Sequence, residues 1–128
     1  MKLLKNKRGV TLAELLAVIT IMGIIAAIAV PAIGSAINTS KEGSAKADAI
    51  AIYEATRVMC TIDETACSGA SLDQGDATLQ QYLDGATGYT FTVTLSSSKP
   101  TLVTLDISSR NLDNDFVTYD GATATLTS

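Results

Sequence analysis

Residues Leu15 to Ile37, LLAVITIMGIIAAIAVPAIGSAI, form a run of 23 positions whose polar side chains are Thr20 and Ser35. The run is longer than the 7–15 apolar residues of a secretory signal core and reaches the length, about 20, that a helix needs to cross a bilayer. After it the pattern changes. Ala45, Ala49, Ile52, Ala55/Thr56 and Met59 recur at spacings of three and four, with Lys41, Glu42, Lys46, Asp48 and Glu54 largely between them. Such spacing is the signature of a helix that buries one face. Together the two stretches predict one helix from Val10 to about Cys60, some 50 residues or about 75 Å at 1.5 Å per residue. Two residues weaken it. Pro31 has no N–H for the Ala27 carbonyl, which predicts a kink, and Gly23 lowers local helix propensity by about 1 kcal/mol relative to alanine.

Beyond Cys60 the period shortens. Cys60 to Gly75 is turn-rich. Asp76 to Gly85, DATLQQYLDG, predicts a short helix with Asp76 as N-cap and Gly85 past its end. Tyr89 to Leu95 alternates, with Tyr89, Phe91, Val93 and Leu95 on one face and threonines on the other. Thr101 to Ile107 places Val103, Leu105 and Ile107 on one face, and FVTYDGATATL contains Asp120-Gly121, a strong hairpin signal. About four antiparallel strands result, whose apolar faces cover the second half of the long helix. The fold class is α+β: a long N-terminal helical spine on a small antiparallel sheet.

Charge sharpens this division. Lys2, Lys5, Lys7 and Arg8 crowd the first eight residues, while no charge occurs from Leu15 to Ser40. Basic residues ahead of the apolar run predict that the N-terminus stays inside the cell. Without those four, five basic residues face thirteen acidic ones, a sum of −8. With Glu14 set aside the head still sums to −7, which repels phosphate backbones, so direct nucleic-acid binding is not expected of it.

The apolar run also carries an anomaly at its entrance. Glu14 puts a carboxylate on a helix that is otherwise uncharged to Ser40. Ionisable groups in membrane helices are costly and normally have a partner. The local order, Lys5-Asn6-Lys7-Arg8-Gly9 followed by Val10-Thr11-Leu12-Ala13-Glu14, resembles the class III signal of type IV pilins and pseudopilins. The resemblance implies that a prepilin peptidase removes residues 1–9 by cutting between Gly9 and Val10 and then methylates the Val10 amine. Glu14 would be the fifth mature residue, where the family keeps its glutamate, and Pro31 the twenty-second, where many members carry a proline. Valine at the first mature position departs from the usual phenylalanine or methionine. A secretory signal and a plain membrane anchor remain the other readings of this segment, and neither accounts for Glu14.

What the resemblance implies is a structural subunit with the pilin fold. Residues 10–37 would form the transmembrane and filament-core half of the helix, and 38–128 the globular head. Glu14 would pair with the Val10 amine of a neighbouring copy, so the chief partner is a homopolymer of the chain itself. A prepilin peptidase/methylase, an inner-membrane platform and an assembly ATPase are implied as well. The subunit would span the bacterial membrane once before joining an extracellular filament. A major pilin is the preferred assignment, with a pseudopilin of type II secretion or competence DNA uptake as the alternative and a monomeric membrane-tethered module further off.

No catalytic constellation or cofactor motif is evident. Histidine, the commonest general base, is absent from the chain. Cys60 and Cys67 are an even pair in the part expected to be exported, which points to a disulfide stapling the end of the helix to the next loop. Free thiols are the alternative. Zinc lacks further ligands. Asp113, Asp115 and Asp120 are a weak calcium candidate, since oxygen-rich turns suit that ion, but Asp and Asn equally favour turns for their own sake.

Overall fold

The computed structural model describes residues 9–83, 89–110, 112 and 114–128. Its first element is α1, Leu12–Ile62, which continues as helix through Gly23 and Pro31. The chain divides into two units at Ile37/Asn38.

In the second unit α1 buries Ala45, Ala49, Ile52, Thr56, Met59 and Cys60. All but Cys60 are positions whose three- and four-residue spacing predicts a buried face. The alanines present a low surface on which a sheet can lie. Thr56 is the polar member of this stripe, and its hydroxyl donates to the Ile52 carbonyl at 2.8 Å, so its own polarity is satisfied. The helix ends at a turn organised by Asp63. Its Oδ1 accepts from the Thr65 hydroxyl and from the Thr65 and Ala66 N–H groups. These hydrogen bonds, that of the Thr65 hydroxyl first, hold the Asp63 carboxyl below the usual aspartate range.

Five strands form an antiparallel meander in the order β1-β2-β3-β4-β5: β1 Ser71–Asp73, β2 Phe91–Ser96, β3 Lys99–Asp106, β4 Phe116–Tyr119 and β5 Ala124–Thr127. Four of them match the expected strands, two read from alternation and two from the Asp120-Gly121 hairpin signal, with ends shifted by a residue or two. The fifth, β1, is a correction to the turn-rich reading of Cys60 to Gly75. It pairs Leu72 with Val93 and Asp73 with Thr92. A three-residue strand has too few positions to show a period. A short helix α2, Ala77–Tyr82, sits between β1 and β2. Asp76 caps it as expected, accepting from the Thr78 and Leu79 N–H groups. The helix ends at Leu83, and Gly85, the expected stop, lies outside the described residues.

The core joins the buried stripe of α1 to the inward face of the sheet. Tyr89, Phe91, Val93, Leu95, Val103, Leu105 and Ile107, the alternating residues singled out above, are all buried, together with Leu72, Leu79, Val117 and Tyr119. Each large aliphatic or aromatic side chain removed from water in this way contributes about 1.5–3 kcal/mol. Tyr53, on the flank of α1, meets Tyr119 edge to face with centroids 5.2 Å apart. Beneath that contact Gly121 has φ +89°, and a Cβ there would stand 2.6 Å from the Tyr53 hydroxyl. Glycine is thus required by conformation and by space.

The β4–β5 hairpin is present where Asp120-Gly121 predicts one, but the connection is longer than a two-residue turn. It runs over Asp120 to Thr123, and Asp120 Oδ1 accepts from the Ala122 and Thr123 N–H groups at 2.9 and 2.7 Å. The two-residue turn occurs instead between β2 and β3, at Ser97 and Ser98, both with positive φ.

Candidate functional site

Gly9 and Val10 are exposed and precede the first turn of α1. The helix begins on Thr11, whose carbonyl accepts from the Leu15 N–H at 3.1 Å. Two further bonds close this end reciprocally. The Glu14 N–H donates to Thr11 Oγ1 at 3.2 Å, and the Thr11 N–H donates to Glu14 Oε2 at 3.0 Å. This is a capping box, in which two backbone donors without helical partners are satisfied by two side chains. The carboxylate also stands at the positive end of the helix dipole. Glu14 thus has a partner within its own chain, a role that the sequence analysis missed. The Thr-x-x-Glu spacing ahead of an apolar run was the signal that would have found it.

From Val10 to Ser40 every side chain is exposed except Ala29, which is half-buried. Thr20 donates its hydroxyl to the Leu16 carbonyl at 2.7 Å, so its polarity is satisfied within the helix. Around Gly23 no atom other than its chain neighbours and the surrounding helix backbone lies within 4 Å of where a Cβ would be. Length and composition suffice for this part of α1 to cross a membrane.

The remaining residues singled out from sequence lie in the second unit. Cys60 and Cys67 form a disulfide, Cα–Cα 5.5 Å, that ties the end of α1 to the following loop. Of the calcium candidates, Asp113 lies outside the described residues. Asp120 is engaged with the turn amides, and the N–H groups of Thr123 and Ala122 keep its carboxyl below the usual range. Asp115 joins β-type pairing through its main chain, donating to the Thr127 carbonyl. Neighbouring Asn114 reaches α1, where its amide donates to Glu42 Oε1 at 3.3 Å. Among the described residues no group of three His, Cys, Asp or Glu side chains is placed to hold a metal ion.

An exposed Gly-Val junction, a capped Glu14 and a long uncharged helix thus follow one another along the first 40 residues. Residues 4–30 match the family described as the prokaryotic N-terminal methylation motif. Over this segment the chain is similar to type IV pilin-like proteins. The match covers the signal and most of the apolar segment, and the long helix on an antiparallel sheet gives a pilin-like α+β architecture. No curated protein and no solved structure matches the chain. Pilin-like proteins are structural subunits rather than enzymes, and the motif implies prepilin peptidase processing followed by filament assembly. Motif and apolar helix together fit insertion into a membrane before that assembly.

Proposed function

We propose that this pilin-like protein is the repeating subunit of a type IV pilus or pilus-like filament. The observation that carries the reading is the methylation motif over residues 4–30, in which Glu14 is the one charged side chain after Gly9. In this reading residues 1–9 are a leader, Val10 becomes the methylated N-terminus, 10–37 lie in the membrane and then in the filament core, and 38–128 form the outward head. Each processed subunit carries one amine at Val10 and one carboxylate at Glu14. In apolar surroundings each is expensive when unpaired. A carboxylate capped by Thr11 while the subunit is alone, and offered to a neighbour's amine on assembly, is never stranded.

The uninterrupted order of the five strands, without an inserted domain, favours a repeating subunit over a tip subunit. A pseudopilin of type II secretion or DNA uptake shares the same signal, and the acidic head argues against a role as the DNA receptor itself. N-terminal mass analysis of the cellular protein tests the reading. Loss of residues 1–9 with a methylated Val10 is the expected result. An intact Met1 would make the chain an uncut anchor, and a start near Ile37 would make it a secreted domain.

A further inference from the structure

A cavity of about 610 Å³ lies on the head between the last turns of α1 and the β2–β3 turn. Pockets that take small molecules fall in the range of about 300–1,000 Å³. The helix contributes Tyr53 and Arg57, the loop after it Glu64, the turn Ser97 and Ser98, and the start of β3 Lys99.

Three observations separate this cavity from the rest of the head. The first is charge. Residues 38–128 hold five basic and twelve acidic side chains, a sum of −7. Lining the cavity, Arg57 and Lys99 stand against Glu64, a sum of +1. Glu54 lies 3.5 Å from Arg57 but does not line the cavity, and both side chains are more than half exposed, so this pair leaves the guanidinium available. The second is the turn. Ser97 and Ser98 have φ of 52° and 57°. Residues with a Cβ avoid that region, and two-residue turns of this kind favour Asn-Gly. Two serines line the cavity here at the expense of backbone comfort, and backbone strain of this kind clusters at ligand sites. The third is Tyr53, whose ring is held edge to face against Tyr119 while also lining the cavity.

A fixed aromatic ring, hydroxyls, one carboxylate and two cations are the complement of one kind of ligand. A sugar ring offers an apolar C–H face to an aromatic side chain and hydroxyls that donate to a carboxylate. A carboxyl group on that sugar meets arginine and lysine. We propose that the cavity binds a single acidic saccharide unit of the uronate type. Arg57 and Lys99 take its carboxylate, and Tyr53, Glu64, Ser97 and Ser98 take its ring and hydroxyls. Two cations on a locally near-neutral patch suit a monoanion, while the −7 head repels extended polyanions. This inference stands independently of the filament reading.

The test is an amide NMR titration of the full chain in detergent micelles with glucuronate, glucose, inorganic phosphate and a single-stranded oligonucleotide. Glucuronate should give saturable shifts at Arg57, Glu64, Ser97 and Ser98. Its affinity should exceed that of glucose by about tenfold and fall by about tenfold in Arg57→Gln or Lys99→Gln. Both side chains are exposed, so an unchanged amide spectrum elsewhere in the variants verifies the fold. Absence of saturable shifts would overturn the proposal, as would equal binding of glucose. Unchanged affinity in both variants, or phosphate or oligonucleotide binding as tightly as glucuronate, would overturn it too.

Discussion

Between Val10 and Ser40 the side chains are exposed, Ala29 alone being half-buried, although this is the most apolar stretch of the chain. Between Lys41 and Ile62, where charges are interspersed, six side chains of the same helix are buried. Apolar content therefore does not decide which half of α1 forms a core. A core requires a complementary face, and the meander sheet supplies one for Ala45, Ala49, Ile52 and Met59. The first half, uniformly apolar around its circumference, has the character of a helix meant to be surrounded, by lipid or by copies of itself. Burial in the head is a property of one chain, whereas in the apolar half it is left to the environment.

The largest expected effect of breaking this contrast is at Glu14. Expressed as the sole copy, Glu14→Val should reach normal membrane levels and yield few or no sheared filaments. Glu14→Gln separates the two roles of the side chain, because glutamine preserves a capping box without the charge. If charge pairing drives assembly, Glu14→Gln should fail as Glu14→Val does. Normal filaments from Glu14→Gln would reduce Glu14 to a helix cap.

Next in size is a paired substitution along α1. Ile52→Ala removes a fully buried side chain and should destabilise the head by about 2–5 kcal/mol. Ile24→Ala alters an exposed side chain and should change stability by less than about 0.5 kcal/mol. Thermal unfolding of the full chain in micelles, followed by circular dichroism, measures both. Equal losses would show that the first half is also packed in the single chain, and the comparison would collapse.

The disulfide comes third. Replacing both Cys60 and Cys67 by serine releases an eight-residue loop, for which the chain-entropy argument gives a loss of about 2.5 kcal/mol. The unfolding transition should move down accordingly, while the apolar half keeps its helicity. A transition that does not move would mean that the loop is held by Asp63 and its turn alone.

The smallest effect is the pH response of the head. Hydrogen bonds to Asp63, Asp106 and Asp120 hold all three carboxyls below the ordinary aspartate value, at Asp106 through the Ser108 hydroxyl and then its N–H. Because the folded values are depressed, the stability they contribute is fully present above the unfolded value of about 3.9 and is lost as pH falls through the lower folded values. The midpoint of thermal unfolding should decline below about pH 4. Asp120→Asn keeps an acceptor for Ala122 and Thr123 but cannot titrate, so its decline should be shallower. An identical decline in the variant would remove Asp120 from the set.

Patterns of period and composition determined much of this protein by themselves. The 23-residue apolar run, the three-and-four spacing after it and the alternation at Tyr89–Leu95 and Thr101–Ile107 are local, repeated signals; each became the expected element, and all but the exposed apolar run bury the expected face. The methylation motif is likewise a contiguous string. Tertiary structure decided the features that depend on residues far apart or on hydrogen-bond geometry. Strand β1 exists because the edge of β2 was open to Ser71–Asp73, not because three residues prefer extension. Asp120 organises a four-residue turn because its carboxylate meets two amides. Arg57 and Lys99, 42 positions apart, share a cavity only once β3 folds back beside α1. Period is written along the chain, but the neighbour across a gap is chosen by packing, since a side chain's partner there depends on the whole path that returns the backbone to it.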